Sequence, residues 1–112
     1  ILNDLIDPGL TGDIPTLIAR IRANGSMVAF IGYYDGARGA ATGFTPCQGA
    51  FDIINARMTR LAAQDAGLLF FDAGNVVDAG DRGLYAPDLI HPSPRGSAII
   101  GQALAQRMAA FE

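Results

Sequence analysis

Ser26-Met27-Val28-Ala29-Phe30-Ile31-Gly32-Tyr33 is the stretch whose reading decides the fold. Met27 to Ile31 are consecutive and apolar, with no polar alternation. Such a run suits a parallel strand covered on both faces better than a strand with one wet face. Leu68-Leu69-Phe70-Phe71 repeats the pattern, running into Asp72. Between the two runs, Phe51, Ile54, Met58, Leu61 and Ala62 recur at helical spacing, with Arg57, Arg60 and Gln64 on the other side. Thr45 is expected as the N-cap of that helix, with Pro46 in its first turn and Gly67 closing it. Upstream, Asp7-Pro8-Gly9 and Thr11-Gly12 carry turn chemistry. Asp13 is expected to cap a second helix with an apolar stripe of Ile14, Leu17, Ile18 and Ile21, and Asn24-Gly25 ends it. Ile1 to Asp4 reads as the last step of a strand entering a loop. Helix followed by strand, twice over, is the sign of a parallel α/β fold.

Two strands do not complete such a sheet. Both runs read as buried on both faces, and each offers the other only one partner. More sheet is therefore expected from upstream sequence, a second chain or a swapped copy. Ile1 is no natural initiator, and no signal-peptide pattern opens the chain.

Composition bounds the function. The chain has 112 residues, half of them hydrophobic, and a formal net charge of -3, the profile of one ordinary domain or less. Its eight basic residues are all arginines, scattered rather than clustered, so nothing points to nucleic acid. No apolar run is long enough for a membrane span. Cys47 is the single cysteine, which rules out an internal disulfide. It falls in a first helical turn, where the dipole favours a thiolate, yet a buried structural cysteine is the expected reading.

The chemistry lies in Asp88-Leu89-Ile90-His91-Pro92-Ser93-Pro94-Arg95-Gly96. His91 is the only histidine, and a neutral imidazole takes a proton near pH 7. Asp88, three residues earlier, can fix its tautomer and leave the other nitrogen as a base. The competing reading is a surface histidine beside a helix cap. Ser93 is expected to cap the last helix, Pro94 to begin it, and Ile100, Leu104, Met108 and Phe111 to make its stripe.

Two further segments have no clear periodicity. Tyr34 to Phe44 holds Gly36, Gly39 and Gly43 at spacings that fit no phosphate-binding fingerprint. It is either a mobile wall of a substrate pocket or a plain connection. Ala73 to Pro92 is long for a loop and ends in the Asp88–His91 pair, which favours function. Val76 and Val77 are expected to form one docked helical turn. Asp72, Asp78 and Asp81 do not follow the calcium-loop pattern, so no metal is expected.

The last block, Asp88-Leu89-Ile90-His91-Pro92-Ser93, resembles that of the SGNH (GDSL-type) hydrolases, in which Asp-x-x-His precedes the final helix. Leu68 to Asp72 is similar to the strand before it, and Asn3-Asp4 resembles the Gly-x-Asn-Asp block, with Ile1 in place of the glycine. Residues 1–112 thus look like the C-terminal half of a single SGNH-hydrolase domain, whose Gly-Asp-Ser-type nucleophile block lies upstream or in another chain. The resemblance implies a three-layer α/β/α sandwich with a flavodoxin-like parallel sheet, here partial. It also implies a serine esterase acting on small carboxylic esters through an acyl-enzyme, without cofactor. His91 would be the general base and then acid, Asp88 its orienting carboxylate, and Asn3 a side-chain donor to the oxyanion. Of the serines present, Ser26, Ser93 and Ser97 sit at no strand-to-helix elbow. The half by itself is expected to be inactive. Two alternatives stand beside this reading: an acyltransferase on the same triad, and a non-catalytic flavodoxin-like binding module with Asp88 and His91 as capping residues.

Overall fold

β1 (Val28–Ile31) and β2 (Leu68–Phe71) pair in parallel, with Val28 opposite Leu68 and Ile31 opposite Phe71. The structure is a computed structural model and describes residues 1–111. The ladder is extended at both ends by Val28 N–H donating to the Gly67 carbonyl at 2.9 Å and Gly32 N–H to that of Phe71 at 2.8 Å. The helix α3 (Gln48–Gln64) joins the strands, giving a βαβ unit in a mixed α/β chain. Three more helices occur among the described residues: α1 (Leu2–Leu5), α2 (Asp13–Ala23) and α4 (Pro94–Phe111). None is long and apolar enough to cross a membrane.

Side chains alternate between the faces of a strand, and that alternation distributes the core. Leu68 and Phe70 join Ile6, Leu10, Ile18, Ile54 and Met58 in one cluster, against which Val28 and Phe30 pack. Met58 is completely buried. All four β2 residues are buried, and α3 and α4 both pack on that strand. β1 departs from the expectation of two covered faces. Ala29 and Ile31 are exposed, Ile31 to 51%, because α4 lies along β2 and leaves this side of β1 open among the described residues.

The helix boundaries follow local chemistry, with several corrections. Ile1 to Asp4 is not a strand end: the Ile1 carbonyl accepts from the Asp4 and Leu5 N–H groups, which closes one helical turn. Gly12, not Asp13, is the N-cap of α2. Its φ of +128° suits glycine, and a Cβ there would lie 2.7 Å from the Leu5 carbonyl oxygen. Asp13 instead supplies negative charge to the first turn. Leu17, expected on the core stripe, is exposed, and Ile18 carries the burial. Thr45 does not cap α3 with its side chain. Its hydroxyl accepts from the Thr42 N–H, and Thr45–Cys47 forms a 3-10 turn ahead of the helix. Cys47 is exposed in that turn, not a buried structural cysteine. The helical turn expected at Val76-Val77 lies at Ala73–Asn75, where the Asp72 carboxylate accepts from Gly74 N–H at 2.9 Å. Val77 then enters a second cluster with Ala37, Leu84 and Tyr85. At the far end of α2, Asn24-Gly25 terminates the helix with Gly25 at φ +84°. Arg22, off the apolar stripe, bonds the Asp65 carboxylate at 3.1 Å and the Ser26 carbonyl at 2.9 Å. This pins the exit of α2 to the exit of α3.

Ser93 caps α4 as its position suggests: its Oγ accepts from Gly96 N–H at 3.1 Å and donates to the Gly83 carbonyl at 2.6 Å. Gly96 is buried, and a Cβ on it would fall 2.1 Å from the Leu84 carbonyl oxygen. Gly96→Ala is therefore expected to lose about 1–3 kcal/mol through backbone displacement. Gly101→Ala, where a Cβ meets nothing within 4 Å, should gain about 0.5–1 kcal/mol of helix stability. Urea denaturation of both variants compares them. Equal midpoints would show that α4 does not seat on Leu84.

Candidate active site

Parallel pairing sends the chain out of β1 and β2 at the same edge of the sheet. In open α/β sheets ligands bind at that carboxyl edge. The two long loops begin there, and they are bonded to each other. Ala37 N–H donates to the Leu89 carbonyl at 2.9 Å, and Arg38 N–H to that of Ala79 at 2.7 Å. The buried Tyr85 hydroxyl donates to the Asp35 carbonyl at 2.7 Å. The Tyr34–Phe44 segment, read from sequence as either a mobile pocket wall or a plain connection, is thus anchored along its first half.

Asp88, Leu89 and His91 form a tight turn. Leu89 has φ +61°, a left-handed conformation that costs a leucine about 1–2 kcal/mol. Three contacts hold it there. Its N–H donates to the Ala86 carbonyl at 2.9 Å, its own carbonyl accepts from Ala37, and its side chain packs on the second cluster. The turn brings the backbone around the Asp88 carboxylate. Oδ1 accepts from Ile90 N–H at 2.9 Å and from His91 N–H at 3.0 Å, while Oδ2 lies 2.5 Å from His91 Nδ1. These contacts, the imidazole first and then the two amides, lower the Asp88 pKa from the ordinary 3.8 to about 2. In a neutral imidazole, the ionised carboxylate favours the tautomer with hydrogen on Nδ1, and Nε2 is then the nitrogen able to accept a proton.

His91 stands on the wall of a cleft of about 320 Å³ whose other sides include Ile31, Tyr33, Phe44, Phe51 and Ile90. Gly36 and Thr42 place the glycine-rich segment on the same cleft. A base beside an apolar cavity is an arrangement suited to hydrolytic or acyl-transfer chemistry. Sequence patterns placed Phe51 on the buried stripe of α3 and did not single out Tyr33 or Phe44. Tyr33 stacks on Phe51 with ring centroids 4.3 Å apart and an interplanar angle of 13°. The one available signal was their aromatic character next to the glycine-rich loop.

Asn3 is not brought to this cleft. It is exposed on α1, and its Oδ1 accepts from Arg57 at 2.8 Å. Arg57 lies six residues beyond Phe51 in α3, about 9 Å along the helix axis. No serine lines the cleft. Ser93 is engaged in its cap, Ser97 is exposed on α4, and Ser26 precedes β1 at the opposite end of the sheet. Cys47 does not line it either. The carboxylates of Asp72, Asp78 and Asp81 each accept from the N–H of a glycine two residues on, at 2.9 Å. They act as turn-forming groups of the long loop. No family model, no curated protein and no solved structure matches the chain.

Because the Asp88 pKa is depressed in the folded chain, its contribution to stability is present above about pH 4 and is lost as pH falls toward 2. A carboxyl carbon NMR titration should place the Asp88 midpoint near 2 and, in His91→Ala, move it back toward 3.8. An ordinary midpoint in the unsubstituted chain would mean that the carboxylate and the imidazole do not engage.

Proposed function

We propose that this chain carries the acid–base half of a serine ester hydrolase of the SGNH type. The observation that supports the reading most is the Asp88–His91 contact on the wall of an apolar cleft. His91 Nε2 takes the proton of a serine hydroxyl as the oxygen attacks the acyl carbon, then delivers it to the departing alcohol. Water repeats the cycle on the acyl-enzyme. Asp88 holds the ring and offsets the charge it gains. The serine comes from a polypeptide joined to or associated with this chain, and the two parallel strands are part of a larger three-layer sandwich. A uncovered face on β1, with Ala29 and Ile31 exposed, supports that extension. The substrate is a small carboxylic ester, with no cofactor.

Asn3 enters the proposal as an oxyanion donor through its resemblance to the Asn-Asp block. That role requires α1 to turn from Arg57 toward the cleft. Asn3→Ala tests it separately: a loss of about 10²–10³ in kcat at unchanged KM supports the role. An unchanged kcat removes Asn3 and leaves His91 and Asp88 standing.

The main test is fluorophosphonate labelling of the naturally produced protein, read by intact mass, together with ester turnover. Such a probe reacts with a serine activated by a base and oxyanion donors. One serine adduct is expected, lost in His91→Ala, with turnover reduced by about 10³-fold or more. Asp88→Asn should reduce turnover by about 10²–10⁴-fold. Full labelling and turnover in His91→Ala would overturn the mechanism. One observation favours a non-catalytic module instead: Asp88 Oδ1 already closes a turn through two backbone amides, and the His91 side chain is 72% exposed. Absence of any serine adduct would decide for that module.

A further inference from the structure

A second concavity opens beside the cleft. It measures about 690 Å³ and lies between α3, the end of β1 and the loop that follows β2. Tyr33 and Tyr34 border both cavities, whereas Phe51 faces the cleft alone. The Tyr33–Phe51 stack is thus a partition with an apolar side and a polar side. Tyr33 is half exposed, so only part of its ring is occupied by Phe51.

The chemistry of the groove differs from that of the cleft. Asp35, Arg38, Asp52 and Asn75 are exposed there, and their side chains take part in none of the hydrogen bonds among the described residues. Asn55 and Thr59, on the same wall, are committed: the Asn55 amide both donates to and accepts from the Tyr33 backbone, and the Thr59 hydroxyl donates to the Asn55 carbonyl. The uncommitted set holds acceptors in two carboxylates, donors in a guanidinium and both in an amide, next to an aromatic ring. Adjacent hydroxyls, each donor and acceptor at once, match such a mixture. The C–H face of a sugar ring packs on a tyrosine. With Asp72 and Asp78 also on the groove, carboxylates outnumber the single Arg38, so an anionic group is repelled.

We propose that the groove is an alcohol subsite of the same reaction, binding a neutral polyhydroxylated alcohol such as a sugar whose apolar acyl group occupies the cleft. The inference rests on the hydrolase reading. The reaction adds water across the acyl C–O bond and releases the carboxylic acid and the polyol. The shared tyrosines let one amphiphilic molecule lie across both cavities.

The test is calorimetric binding of n-octyl β-glucoside, below its micelle concentration, to the naturally produced protein. An ester hydrolase does not cleave this glycoside, so binding is read apart from turnover. Octyl glucoside is expected to bind about tenfold more tightly than 1-octanol, through two or three net hydrogen bonds. It should also exceed methyl glucoside by about fourfold for each methylene the cleft buries. Asp52→Ala should weaken octyl glucoside about fivefold and leave octanol unchanged. Equal affinity for octanol and octyl glucoside, or preference for octyltrimethylammonium, would overturn the polyol subsite. Octanoyl-glucose turnover separates the two readings. Turnover with kcat/KM indifferent to Asp52→Ala and to the head group sinks the groove alone. Binding as expected without turnover sinks the hydrolase reading, and the alcohol-subsite role with it.

Discussion

The parallel pairing of Val28–Ile31 with Leu68–Phe71 is the constraint on which the rest depends. Antiparallel strands would deliver their following loops to opposite ends of the sheet. Parallel ones deliver both to one edge, so the glycine-rich segment and the segment bearing His91 meet. The pairing is itself held by burial. Four β2 side chains leave water, each contributing about 1.5–3 kcal/mol, and α3 supplies the crossover that parallel connection requires. Loss of that register would separate Ala37 from Leu89 and dismantle the cleft wall before any site residue changed.

Once at the same edge, the loops are tied together mainly by backbone bonds and short aspartate turns. Asp72, Asp78, Asp81 and Asp88 each accept from a main-chain N–H two residues ahead. Short acidic side chains suit this job because they reach their own backbone without spanning to another element. Asp88 alone has its second oxygen on an imidazole, because the only histidine stands three residues on, across the turn at Leu89. Its left-handed backbone curls the turn until His91 Nδ1 comes within 2.5 Å. The strain at Leu89 is offset by contacts from the glycine-rich segment, so the geometry of the histidine is tied to the wall it faces.

The cleft and the groove follow from one partition. Tyr33 and Phe51 come from the end of β1 and the start of α3, and their stack is set by the Asn55 amide, which bonds both backbone groups of Tyr33. Gly32 permits the approach, since a Cβ there would lie 2.6 Å from the Phe70 ring. A single well-held backbone position thereby divides apolar from polar space at the carboxyl edge of the sheet.

The sequence by itself determined the elements whose signals are local. Leu68–Phe71, the stop at Asn24-Gly25, the Ser93 cap and the Asp88–His91 spacing depend on neighbouring residues and on turn chemistry. Where a partner outside the element itself intervened, the local pattern misled. Gly12 caps α2 because the Leu5 carbonyl leaves no room for a side chain, and Thr45 turns back to Thr42 rather than forward to its helix. Ala29 and Ile31 are apolar like the rest of β1, yet only the placement of α4 along β2 decides that they stay exposed. The site divides the same way. Asp88 and His91 were legible because three residues in a turn bring them together, whereas Tyr33, Phe44 and Phe51 converge through long-range packing. Asn3 was selected by local resemblance, and packing on Arg57 holds it away from the cleft. Period and capping act over a few residues, while the faces that meet across the fold are chosen by what competes to cover them, and only the tertiary structure decides that competition.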